Sequence, residues 1–218
     1  MNTRARRKRE KEERRQSILQ AAREVFFENG FHQATVEAVA ERAEVSKGTV
    51  YLYFESKETI LAHLLLEGLR ELDRRLEEAY AVEEELPADD RLRRLGWAYF
   101  KFFRQEPRYF HFLMAMDRGR FREVVDPVVY RKALEASMEG LGWVVRAVEQ
   151  GIEGKIFDTC DVRQAAATLW ATLNGVLELT EHPLRREMVG LKSKTLYEAA
   201  LETIIQGLRL PQKEQGGV

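Results

Sequence analysis

The sequence is poor in residues that carry covalent or metal chemistry. Of its 218 residues only Cys160 is a cysteine, which excludes an internal disulfide and leaves no thiol pair for a metal. Such a lone thiol reads as a half-buried spectator in a reducing compartment. The four histidines, His32, His63, His111 and His182, are scattered without HxxxH or HExxH spacing, so no metal site is expected. No GxSxG, P-loop or Rossmann glycine pattern occurs. Carboxylate pairs such as Glu12-Glu13 and Glu77-Glu78 sit in charged helical runs that read as solvated faces. Catalysis has no foothold, and neither an enzyme nor a cofactor is expected. No apolar run approaches the roughly 18 residues that span a bilayer, and the basic start is not followed by an apolar stretch. The expectation is a cytoplasmic chain with no membrane partner.

What is present is ordinary globular material: 44% hydrophobic and 33% charged residues, enough for a substantial core. The net charge of -1 argues against a protein that coats polyanions generally, so any binding to nucleic acid must use local asymmetry. That asymmetry lies at the start, where Arg4, Arg6, Arg7, Lys8, Arg9, Lys11, Arg14 and Arg15 crowd together. A later stretch, Glu83 to Glu85 with Asp89 and Asp90, is acidic.

The most informative segment runs from Thr35 to Lys57, TVEAVAERAEVSKGTVYLYFESK. Val36, Val39, Ala40 and Ala43 fall at the spacing of one buried helical stripe, with Thr35 as N-cap and Glu37 in the first turn. Glu44 and Val45 make a turn, Ser46 caps a second short helix, and Val50 and Phe54 form its inner i, i+4 pair. The outward residues are then Ser46, Lys47, Thr49, Tyr51 and Tyr53. A helix this short is not stable alone, so neighbours must hold it while its first turn faces outward. This is the helix-turn-helix arrangement, whose second helix enters the DNA major groove. Gly48 in that turn costs about 1 kcal/mol against Ala, a cost that close approach to a phosphate would explain.

The run VSKGTVYLYFESKETIL, preceded by QSILQAAREVFFENGF and TVEAVAERA, resembles the DNA-binding domain of the TetR family of bacterial transcriptional regulators. The resemblance covers roughly Arg14 to Leu65. It implies that Thr35, Ser46, Lys47, Thr49, Tyr51, Tyr53 and Lys57 face DNA, and that Val39, Ala40, Val45, Val50 and Phe54 form the small core. Leu52 departs from the pattern, standing where many members carry a polar or histidine side chain.

Around this segment the chain reads as all-α, with about nine helices. Residues 1–13 are dense in like charge without apolar periodicity, so a basic flexible arm is expected, either a solvated tail or a contact to phosphate or the minor groove. The helix-turn-helix domain spans 14–58: Ile18, Ala22, Val25 and Phe26 line its first helix, Asn29-Gly30 stops it and Phe31 plugs the core. Ser56 caps a long helix from Lys57 to about Tyr80, whose first turn can sit on a phosphate. Residues 81–90 read as a linker. Helices follow from Arg91, from Tyr109, from Asp126-Pro127, from Asp161 and from about Leu191, within an effector-binding and dimerisation domain at 59–210. Residues 211–218 are a tail.

That second domain holds most of the aromatic residues. The plain reading is a large helical core. The functional one is an adaptable cavity between bundle helices, lined by Trp97, Phe100, Phe103, Phe110, His111, Met114, Trp143 and Trp170. The family resemblance implies such a pocket, with an effector that reorients the DNA-binding domains. A small apolar or aromatic effector would suit this lining: a fatty acid, its coenzyme A thioester (an acyl-CoA), or an aromatic drug-like compound. Ala165, Leu169, Leu173, Val176, Ala200 and Ile204 carry small and branched groups on the last two long helices, either buried within the subunit or packed on a twofold mate. The two half-sites usual for this type of reader, and the resemblance to a dimeric family, favour a homodimer. The expected function is a ligand-responsive repressor that binds a palindromic double-stranded DNA operator through the major groove. The alternative is a helical small-molecule sensor or carrier acting through protein contacts.

Overall fold

The computed structural model describes residues 3–81, 85–117 and 121–210. Eleven helical segments follow one another: α1 (Thr3–Gln33), α2 (Val36–Arg42), α3 (Lys47–Tyr51), α4 (Lys57–Tyr80), α5 (Ala88–Gln105), α6 (Pro107–Asp117), α7 (Phe121–Val124), α8 (Pro127–Glu153), α9 (Val162–Glu181), α10 (Pro183–Val189) and α11 (Ser193–Leu208). Among the described residues the only extended pairing is an isolated bridge between Phe157 and Arg209. No helix among them is long and apolar enough to cross a membrane.

Local side chains set five of the helix starts, as the sequence predicts. The Ala38 amide donates to Thr35 Oγ1 at 3.1 Å, the Thr49 amide to Ser46 Oγ at 3.1 Å and the Thr59 amide to Ser56 Oγ at 3.0 Å. Asp126 Oδ1 accepts from the Val128 and Val129 amides, and Asp161 Oδ1 from the Gln164 amide. Each satisfies an amide that the first turn leaves without a helical partner.

Three segments differ from expectation. The basic start is helical from Thr3 rather than without structure as far as Glu13. Acidic residues interleave with the arginines at helical spacing, so Arg6 Nε donates to Glu10 at 2.9 Å and Arg15 Nε to Glu12 at 3.2 Å, relieving like-charge repulsion. Residues 1–2, 82–84 of the expected linker and the tail 211–218 lie outside the described residues. Two short helices, α7 and α10, were not anticipated. Pro183 opens α10 instead of only closing the helix before it, because a ring with fixed φ and no N–H suits a first helical position.

The contacts group the chain into two units: Met1–Glu71 with Phe103–Ala136, and Leu72–Phe102 with Ser137–Val218. The first therefore extends beyond a boundary at residue 58. Its core joins Ile18, Ala22, Val25 and Phe26 of α1 to Val39, Val50, Phe54, Ile60, Leu61 and Leu64, and admits Phe112 from α6. Phe112 meets Phe26 edge-on at 6.3 Å, and Tyr109 meets Phe27 at 5.5 Å, so α6 packs on α1. Val39, Val50 and Ile60 are fully buried, each removing apolar area worth about 1.5–3 kcal/mol. Gly30 interrupts α1 at φ 72°, ψ 162°, where a side chain would be strained.

The second unit is held by α9 against α11 and by polar ties to α5. Tyr197 is fully buried, and its hydroxyl donates to the Gly96 carbonyl at 2.8 Å. Arg93 bridges Asp89 and Asp90 at 3.0 Å each and Glu202 at 2.7 Å.

Candidate nucleic-acid interface

The turn between α2 and α3 is closed by the Val45 amide, which donates to the Ala40 carbonyl at 2.9 Å. Glu44 carries it at φ 53°. Val50 and Phe54 point into the core, so α3 is anchored on one side and open on the other. Thr35, Ser46, Lys47, Gly48 and Tyr51 are exposed, and Thr49 is half-buried with its hydroxyl 2.9 Å from Ser46 Oγ. Lys47 pairs with Glu37 across the turn and lies over the Tyr51 ring at 5.9 Å. That partner holds the lysine pKa above its ordinary value. Arg42 braces the head from outside, donating to Glu28 at 2.8 Å and to Glu24 at 3.1 Å. The i, i+4 spacing of those glutamates was the available signal for this brace.

Two of the residues that the resemblance turns toward DNA sit differently. Tyr53 is half-buried and packs on the core of the first unit. Lys57 is turned inward: its Nζ donates to the carbonyls of Phe31 at 2.6 Å and Ala34 at 2.9 Å, and lies 4.4 Å from the centre of the Phe31 ring. It caps carbonyls of the segment that follows the Gly30 break in α1, and burial pushes its pKa down. Leu52 is 80% exposed on the open side of α3.

The structure separates the eight expected effector-lining residues. In the second unit Trp97 and Phe100 meet at 5.5 Å and both approach Tyr197, at 6.1 and 4.8 Å. Beside them the Tyr99 hydroxyl donates to Asn174 Oδ1 at 2.6 Å. Trp143 donates its indole N–H to Asp73 Oδ1 at 2.9 Å, with Arg146 3.8 Å above its ring. Trp170 is 44% exposed. In the first unit Phe103 and Phe110 are buried and meet edge-on at 4.4 Å, whereas His111 is exposed. The side chain of Met114 lies outside the described residues.

The expected dimer residues also divide. Leu169 and Leu173 are buried within the subunit, at 2% and 4% exposure. Ala165, Val176, Ala200 and Ile204 are half-buried. The free faces of these helices instead carry Ala167, Trp170, Ala171 and Gly175 on α9, and Ala199, Thr203 and Gly207 on α11. Cys160 is exposed rather than half-buried. Among the described residues no group of His, Cys, Asp or Glu is arranged to hold a metal ion.

A short capped helix held over a three-helix core, with polar groups on its open side, defines a helix-turn-helix DNA-binding protein. Residues 18–64 match the family model described as bacterial regulatory proteins, tetR family. The fatty acid metabolism regulator protein of Bacillus subtilis is 28% identical over 194 residues, covering 88% of this chain and 93% of its own. Of solved structures, the transcriptional regulator FadR from Bacillus subtilis in complex with stearoyl-CoA superposes with a TM-score of 0.65 at 26% identity, over 89% of this chain and 99% of that one. The TetR family regulator PfmR from Thermus thermophilus shares the fold, with a TM-score of 0.65 at 23% identity, over 88% of this chain and 99% of that one. Residues 18–64 thus form a TetR-type DNA-binding domain, and the chain is similar along most of its length to transcriptional regulators of that family.

Proposed function

We propose that this protein is a homodimeric repressor, released from a palindromic operator by a long-chain acyl-CoA. The observation that carries the effector class is the similarity along nearly the whole chain to a fatty acid metabolism regulator, with a stearoyl-CoA complex among its structural neighbours. That similarity extends well beyond residues 18–64, the part matched by the family model. The aromatic cluster of half-buried Trp97 with buried Phe100 and Tyr197 is the apolar region of the second unit that such a ligand would have to open, with the Tyr99–Asn174 pair as its nearest polar contact. The dimer face is assigned to the free sides of α9 and α11, where small residues permit close helix approach.

Release requires only that the effector favour the conformation that does not fit both half-sites. A tenfold loss of operator affinity corresponds to about 1.4 kcal/mol of differential binding. Within the first unit, α6 supplies a path for such a change, because Tyr109 and Phe112 rest directly on Phe27 and Phe26 of α1.

The test begins with selection of a binding site from a random duplex pool, followed by fluorescence anisotropy on that duplex. Stearoyl-CoA should release the protein at micromolar concentration, and coenzyme A alone should not. Failure of acyl-CoAs of every chain length, with DNA binding intact, would overturn the effector assignment alone.

A further inference from the structure

The open side of α3 has an apolar centre. Val50 is fully buried, and at 3.6 residues per turn Gly48 and Leu52 each lie about 200° around the helix from it. They therefore share the outward ridge, one turn apart. At Gly48 a side chain would meet nothing of this protein except Ser46 Oγ at 3.7 Å, so internal packing does not explain the glycine. Leu52 is 80% exposed, more than any other large hydrophobic residue among those described. The ridge is thus bare at one end and ends in an uncovered leucine at the other, flanked by the hydrogen-bonding groups of Ser46, Lys47 and Tyr51.

We infer that Leu52 is a specificity-determining residue that reads the C5-methyl group of a thymine in the major groove. This inference rests on the DNA-binding reading of the head. A leucine gains nothing from phosphate, and against a polar base edge it would strip water from a donor or acceptor without replacing the hydrogen bond. The methyl of thymine is the apolar group that the major groove displays. The bare backbone at Gly48 lets the helix settle deeply enough to bring Leu52 to that depth. Its neighbours supply polar contacts, and Leu52 supplies discrimination against the bases that lack a methyl.

The experiment uses the full-length protein and a duplex enriched from a random pool, in which each thymine is replaced in turn by deoxyuridine. That change removes one methyl and leaves base pairing intact. At one thymine per half-site the wild-type protein should lose about fourfold in affinity, the worth of one buried methyl group. Leu52→Ala should bind the thymine and deoxyuridine duplexes alike, and Leu52→Met should restore the difference. Thermal unfolding checks that both variants are folded, as expected for so exposed a position. If no thymine is sensitive, or if the sensitivity survives in Leu52→Ala, the assignment is overturned while DNA binding stands. If no sequence is enriched at all, the DNA-binding reading itself fails.

Discussion

Lys57 Nζ lies 2.6 Å from the carbonyl oxygen of Phe31, across 26 positions of sequence. Ala34 offers a second carbonyl at 2.9 Å and the Phe31 ring sits below the cation. The first residue of α4 thereby closes the end of α1. This is a structural role for a side chain that its position at a helix start would assign to phosphate.

Lys57→Met keeps the aliphatic stem and removes the donors. It should lower stability by about 1–3 kcal/mol, because partly buried carbonyls lose their charged partner. DNA affinity should fall through the folding of the head, leaving the salt dependence of binding unchanged. An unaltered melting temperature with a salt slope reduced by about 1 would return Lys57 to the phosphate contacts.

Gly68 faces Tyr109 within the first unit. A Cβ there would stand 2.4 Å from Tyr109 Cδ1 and 2.6 Å from Cγ, inside any permitted contact. Gly68→Ala should therefore push Tyr109 off its seat on Phe27 and cost about 1–3 kcal/mol. In a Tyr109→Ala background the same substitution should cost almost nothing. Chemical denaturation of the four proteins of this cycle measures the coupling, and additive losses would refute the contact.

Trp170 and Leu173 lie about one turn apart on α9, yet Trp170 is 44% exposed and Leu173 4%, so the edge of the buried face passes between them. Trp170→Glu should yield a folded monomer with undiminished helicity, detected by sedimentation. Leu173→Ala should cost about 2–5 kcal/mol of subunit stability. A Trp170→Glu protein that remains dimeric would move the interface elsewhere.

His63 packs edge-on against Phe54 at 5.4 Å. Burial first, then the positive charges of Arg15 and Lys132, hold its pKa below the ordinary 6.5, with Asp126 and Glu12 opposing. As pH falls through 6.5 the unfolded chain takes up a proton that the folded head resists. Stability contributed at neutral pH is therefore lost below 6.5, until the folded pKa is reached. The melting temperature of His63→Gln should fall less between pH 7.5 and pH 5 than that of the wild type. Parallel curves would exclude the histidine.

What the sequence by itself determined is local. The caps at Thr35, Ser46, Ser56, Asp126 and Asp161 were legible because the bond each makes reaches only two or three residues along the chain. The buried stripe of α2 and the Val50–Phe54 pair were legible because helical period alone places them on one face. The tertiary structure decided what period cannot: which of two apolar faces of α9 turns inward, that Phe112 of α6 enters the core of α1, and that Lys57 bends back to Phe31. Those outcomes depend on which surfaces meet across long stretches of chain, where several burials satisfy the same pattern and packing selects one. Leu52 shows the division in a single residue. Its place in the motif was written in the sequence, while its exposure followed only from the side on which Val50 and Phe54 are buried.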